Sequence, residues 1–306
     1  MRKDIEFKSQ GEKCRGWLYT PDSGKGPFPV VVMAGGWCYV KEIVMPHYAD
    51  FFVKAGLSVL IFNYRCLGNS DGQPRQHVNP NDQIEDYKDA ISFVETLPEV
   101  DPNRVGIWGI SYSGGHVLVT GATDPRVKCI VSTIPVVDGY SNMQRVHGTV
   151  GFRKLMKAVM DDRRKRFGGA ASEYIAMSAE NVSETLCTWP FPETYKIFTD
   201  IQKTEAPQHE HRNTIESVEL LMSYNVFPYL NRILNTPTLM LVAEGDDLTL
   251  WDLEIQAYNQ IASARKKLFV IPNSSHMALY SDRSKLEIAA EAATAWLADH
   301  LVKPFK

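Results

Sequence analysis

The sequence predicts an α/β fold, a doubly wound and mostly parallel sheet with a helical cap inserted late in the chain. Three observations carry this. Short apolar runs rich in β-branched residues alternate with helical patterns. One of those runs, Val105 to Ile110, leads directly into a small-x-Ser-x-small turn. Between about Asp138 and Arg232 the alternation stops, and helical patterns continue with no convincing strand.

Ile5 to Ser9 and Cys14 to Tyr19 read as two N-terminal strands. Val30 to Met33, Ser58 to Phe62, Val105 to Trp108, Lys128 to Ser132, Thr238 to Val242 and Leu268 to Ile271 read as buried parallel strands, because each is short and rich in β-branched or aromatic residues. His47 to Ala55, Asp82 to Leu97 and Tyr112 to Thr120 supply crossover helices, and in the second Ile84, Tyr87, Ile91 and Val94 share one face. A last helix, about Ser284 to Leu301, turns Ala289, Ala292, Ala293, Trp296 and Leu297 inward. The expected organisation is therefore a core of residues 1–137 and 233–306, interrupted by a helical cap insertion over 138–232.

With 44% hydrophobic and 23% charged residues in 306, the chain has enough apolar content for one large core. A net charge of -3 carries no nucleic-acid footprint. The charged start Met1-Arg2-Lys3-Asp4 lacks the apolar run of a signal peptide, and no stretch reaches the ~20 apolar residues of a membrane span. A cytoplasmic protein with a small-molecule acyl substrate and no nucleic-acid or membrane partner is expected, with homo-oligomerisation left open. Five widely spaced cysteines, Cys14, Cys38, Cys66, Cys129 and Cys187, without a C-x-x-C pair, read as reduced thiols. Cys38 and Cys66 fall in predicted site loops and are expected to be accessible.

The turn Gly109-Ile110-Ser111-Tyr112-Ser113 reads as a nucleophile elbow, with small residues two positions either side of Ser111. Ser113, flanked by Ser111 and Gly115, fits the same rule but lies past the strand, inside the following helix; Ser111 is preferred. A serine hydroxyl needs a neighbouring imidazole to take its proton. His276 is placed for that on the loop after the last strand, whereas His116 rises along the elbow helix away from the tip. The carboxylate that orients the imidazole is expected after the preceding strand, at Asp246, with Asp247 and then Asp138 as alternatives.

Together, G-I-S-Y-S-G-G (109–115), the acid after A-E-G (243–245), N-S-S-H (273–276) and the run Asn63 to Gly72 resemble the α/β-hydrolase superfamily, over essentially the whole chain apart from the cap. Within it the chain is most similar to the dienelactone-hydrolase-like and X-Pro-dipeptidyl-peptidase-like serine hydrolases. The resemblance implies a Ser-His-Asp mechanism and no cofactor. It also implies an oxyanion hole from the backbone N–H groups of Trp37 and Tyr112, with Gly36 and Tyr39 at the substrate and Tyr39 as an optional phenolic donor. Gly35 stands where many relatives carry histidine, which leaves the support of that loop open.

Other patterns carry less. His209-Glu210-His211 has the look of a metal pair without a third ligand, so no metal is expected. Arg65 and Arg75 are candidates to bind a substrate carboxylate, with Arg65 expected rather to anchor the loop after its strand through backbone carbonyls. The reading is a serine esterase or lactonase for a small or medium acyl substrate. The alternatives are amide cleavage or acyl transfer on the same triad and, further off, a ligand-binding homologue without turnover.

Overall fold

The computed structural model describes residues 1–303. In chain order the elements are β1 (Arg2–Ser9), β2 (Glu12–Tyr19), β3 (Phe28–Ala34), α1 (Met45–Lys54), β4 (Ser58–Phe62), α2 (Pro80–Val94), β5 (Val100–Ile110), α3 (Tyr112–Thr123) and β6 (Val127–Thr133). Then follow α4 (Gly139–Phe167), β7 (Tyr174–Ala176), α5 (Pro192–Thr204), β8 (Arg212–Thr214), α6 (Ile215–Met222) and α7 (Phe227–Leu230). The chain returns to the sheet with β9 (Thr238–Ala243), α8 (Trp251–Gln260), β10 (Lys266–Ile271), α9 (Ala278–Ser281) and α10 (Arg283–Leu297).

Eight strands form one sheet in the order β1-β2-β4-β3-β5-β6-β9-β10. The pairs β1/β2 and β2/β4 are antiparallel, and every pair from β4 to β10 is parallel. Helices cover both faces, α1 against α10 on one and α2 against α3 on the other. That double cover explains why β3, β4, β6 and β9 are mostly apolar and buried along nearly their whole length: both sides of each strand face the core. The second crossover helix begins two residues before the predicted start. Asn79 caps it by accepting from Asn81 N–H at 3.0 Å, and Pro80 fills the first turn, where no N–H is needed.

From β3 the chain crosses to β4 on one side, and β5 then lies on the other. The ends of β3 and β5 sit side by side, with Ala34 paired to Gly109. A crevice opens at such a reversal of winding, beyond the carboxyl ends of the strands.

Between β6 and β9, neighbours in the sheet, the chain makes an excursion of four helices. It also contains two short strands that the sequence pattern does not announce, β7 and β8, paired antiparallel from Tyr174↔Thr214 to Ala176↔Arg212. Each is three residues long, too short for an alternation to register. Asp138 opens the excursion as the cap of α4, accepting from Ser141 N–H at 2.9 Å. No helix among the described residues is long and apolar enough to cross a membrane.

Candidate active site

At the end of β5 the backbone turns at Ser111 with φ 57° and ψ −118°, a conformation that side chains rarely adopt. The turn is held from three directions. Ser111 N–H donates to Thr133 O at 2.9 Å, and Ser111 O accepts from Gly114 N–H at 2.9 Å and Val136 N–H at 3.1 Å. A Cβ at Gly109 would lie 2.1 Å from Ser113 O, so this position must be glycine. The strain is therefore supported by neighbouring strands, and the Ser111 side chain is presented at the crevice.

Ser113 is the second small residue of the turn, and its hydroxyl is a brace. It is wholly buried in α3; its Oγ donates to Gly35 O and accepts from Tyr64 Oη. The elbow is thereby tied to the loop after β3. In that loop a Cβ on Gly35 would fall 2.7 Å from Tyr39 Cβ, so the Tyr39 ring occupies the space a larger residue at 35 would need. Loop support comes instead from Ser113 and from Trp37, whose Nε1–H donates to Asn213 Oδ1 at 3.0 Å. Gly36 passes close to the elbow, a Cβ there falling 2.9 Å from Ser111 Cβ. Among the described residues the N–H groups of Trp37 and Tyr112 donate to no protein acceptor.

His276 and Asp246 meet as the sequence order suggests. His276 Nδ1 donates to Asp246 Oδ2 at 2.8 Å, and both side chains are buried. The other carboxylate oxygen of Asp246 accepts from the N–H groups of Leu248 at 3.0 Å and Thr249 at 2.8 Å. Burial pushes the Asp246 carboxyl up, but the adjacent imidazole and the Thr249 N–H outweigh it, and its pKa falls below the ordinary value. Asp247 is exposed, and Asp138 is spent on its helix cap. Occupying Nδ1 in this way leaves Nε2 as the nitrogen free to take a proton.

Two neighbours of this pair escape sequence reasoning. Thr249 Oγ1 lies 3.2 Å from His276 Nδ1 and donates to Glu254 Oε1 at 3.0 Å. Glu254 on α8 is fully buried; burial, with Asp246 nearby, pushes its pKa well up. Its Oε2 has no partner. A lone glutamate in an amphipathic helix carries no sequence signal for such a place.

Ser111 and His276 line one small cavity of about 20 Å³, room for little more than a water molecule. The core contributes Trp37, Tyr39, Leu248 and Met277 to its wall, and the excursion contributes Met177, Trp189, Thr194 and Phe198. Trp37 stands edge-on to Trp189 with ring centroids 6.1 Å apart, and Tyr39 packs on Phe198 at 5.1 Å.

The remaining candidates lie elsewhere. His116 is buried between Tyr224 Oη at 3.0 Å and Gln83 Oε1 at 2.9 Å, and burial pushes its pKa down to about 3. His209 and His211 face each other at 5.7 Å, bonded to Cys38 O and Ser178 Oγ respectively, and burial pushes each down to about 4. Among the described residues no group of three or more His, Cys, Asp or Glu could hold a metal.

Three expectations are corrected here. Cys38 and Cys66 are buried rather than accessible, and burial raises both thiols, Cys66 to about 11. Arg65 anchors through a carboxylate rather than through carbonyls alone, with Nε 2.8 Å from the buried Asp86. It is Arg75 that clasps backbone carbonyls, those of Gly68, Ser70 and Gly72.

The sheet order, the strained serine after β5 and the late histidine define an α/β hydrolase. The chain belongs to the X-Pro dipeptidyl-peptidase (S15) family, which it matches over residues 13–278, and so to a family of hydrolases. It is 36% identical over 187 residues to the quorum-quenching protein AidA of Acinetobacter baumannii, an alignment spanning 61% of each chain. A thiohydrolase of Eupenicillium brefeldianum is 27% identical over 293 residues, 95% of this chain and 92% of that one. The structure of DcsB in complex with its substrate analogue superposes with a TM-score of 0.85 over 99% of this chain and 100% of that one. At 24% identity this is a likeness of fold.

Proposed function

We propose that the protein is a serine hydrolase that cleaves a small or medium acyl ester or lactone through an acyl-enzyme on Ser111. The observation that carries this is the buried 2.8 Å contact of His276 with Asp246, opening on the same apolar cavity as a serine held at φ 57°.

In this reading Ser111 Oγ attacks the acyl carbon while His276 Nε2 takes its proton. The proton then passes to the departing alkoxide, which leaves as the alcohol or, in a lactone, stays tethered to the acyl chain. Asp246 stabilises the imidazolium without itself being protonated, as its depressed pKa supports. The oxyanion is held by the N–H groups of Trp37 and Tyr112, each such donor typically contributing about 10²- to 10³-fold in rate. Water activated by His276 then releases the acid and regenerates the serine. The excursion between β6 and β9 serves as the cap, closing the acyl side of the cavity with Met177, Trp189 and Phe198.

Thioester cleavage, or acyl transfer to an alcohol or amine, is a second reading on the same serine, favoured by the nearly full-length likeness to a thiohydrolase. Wild type should release p-nitrophenol from short acyl esters, and Ser111→Ala should lose at least about 10⁴-fold of that rate. A Ser111→Ala protein as active as wild type removes Ser111 from the mechanism. Wild type that cleaves thioesters but not oxygen esters decides for the second reading.

A further inference from the structure

We infer that Glu254 is a positioning residue for the proposed triad, setting through its bond to Thr249 which way the Thr249 hydroxyl faces His276. The inference rests on the proposed reaction at Ser111 and concerns the Nδ1 side of His276. His276 Nδ1 lies 2.8 Å from Asp246 Oδ2 and 3.2 Å from Thr249 Oγ1, and Thr249 Oγ1 lies 3.0 Å from Glu254 Oε1. A threonine hydroxyl has one proton to give and two lone pairs. Glu254 Oε1 takes the proton, so Thr249 turns a lone pair toward Nδ1, and the Nδ1–H is shared between Asp246 and Thr249. A carboxyl keeps an oxygen that accepts whether it is ionised or protonated, so this order holds in either state. Without Glu254 the hydroxyl is free to turn its proton toward Nδ1 or Asp246. It then competes with the imidazole for the carboxylate and favours the tautomer in which Nε2 is already protonated and cannot serve as the base.

The backbone holds the two side chains in this relation. Thr249 N–H donates to Asp246 Oδ1 at 2.8 Å, and the chain then passes through Leu250 at φ 68°, in the left-handed region, before α8 begins. Glu254 N–H returns to Leu250 O at 3.2 Å, which fixes the glutamate in the first turn of α8. A fully buried carboxyl whose Oε2 has no partner is unfavourable, and methionine would fill much the same volume without that cost. Neither Thr249 nor Glu254 lines the cavity, so their effect on the reaction passes through His276 and Asp246.

The test combines Glu254→Met and Thr249→Val, each close in size to the residue it replaces, with their double variant, on a short p-nitrophenyl ester. Each single variant should lower kcat about tenfold at unchanged KM, the worth of one hydrogen bond felt only in the transition state. The double variant should be no slower than Thr249→Val, because Glu254 then has no hydroxyl left to direct. Glu254→Gln, which keeps an acceptor, should recover most of the loss. In the resting protein the low-field Nδ1–H proton resonance of His276, assigned by its absence in His276→Gln, should move in Glu254→Met and return in Glu254→Gln. Wild-type kcat in Glu254→Met or in Thr249→Val overturns the inference, and the second variant decides the matter if the first does not fold. A loss in Glu254→Met that persists in full on top of Thr249→Val, or a resonance unmoved by Glu254→Met, also overturns it. If the resonance moves as stated but wild type hydrolyses no ester, the ester-hydrolase reading falls and the link from Glu254 to His276 stands.

Discussion

The two walls of the cavity are built on opposite terms. On the sheet side the groups behind the cavity are tied by several hydrogen bonds each: Asp246 accepts from His276 and two backbone N–H groups, and Ser113 bonds both Gly35 and Tyr64. On the excursion side the lining is aromatic and thioether surface, with a single hydroxyl left unpaired. Groups held by several hydrogen bonds keep a geometry suited to charge that appears only in the transition state. Apolar surface holds substrate and transition state about equally well. On the proposed mechanism, the difference predicts that the sheet side sets kcat and the excursion side sets KM and choice of substrate.

The largest effect that sharpens this contrast is on the sheet side. Asp246→Asn should lower kcat about 10⁴-fold on a short p-nitrophenyl ester, because the amide misdirects the imidazole tautomer. Asp247→Asn, at an exposed position, should stay within about twofold of wild type. Equal losses in the two variants would break the assignment of the acid. On the other wall, Trp189→Leu should raise KM about tenfold with little change in kcat, the mark of uniform binding. A variant that instead lost kcat at unchanged KM would show that this wall does more than hold the acyl group.

The smallest expected effect concerns stability. Burial first, and Asp246 second, raise the Glu254 pKa in the folded state. A carboxyl whose folded pKa is raised binds its proton more tightly when folded, so it costs stability as pH climbs above its unfolded value of about 4.3. Glu254→Gln keeps an acceptor for Thr249 and removes that cost. The variant should melt higher than wild type at pH 8, and most of the gain should be lost at pH 4, below the unfolded pKa, where the carboxyl is largely protonated in both states. Calorimetric melting at the two pH values checks the sign. A gain that is the same at both would place its origin in packing rather than ionisation.

The sequence by itself determined the layered architecture, since strands buried on both faces must be mostly apolar and their helices must keep a 3.6-residue stripe. It also determined Ser111 as the elbow residue. Such a turn admits only small neighbours, and that requirement is local, as the 2.1 Å approach at Gly109 shows. His276 and Asp246 were legible because the ends of consecutive strands lie on one edge of a parallel sheet. Only the tertiary structure decided the rest. Ser113 looks like one small residue exchanged for another until its hydroxyl is seen to brace Gly35, and Glu254 looks like a surface residue of α8 until it is found buried behind Thr249. The partners of Arg65 and Arg75 and the ribbon of β7 and β8 were likewise beyond local reading. Each depends on which distant segment the fold brings alongside, and no periodicity or short spacing encodes that.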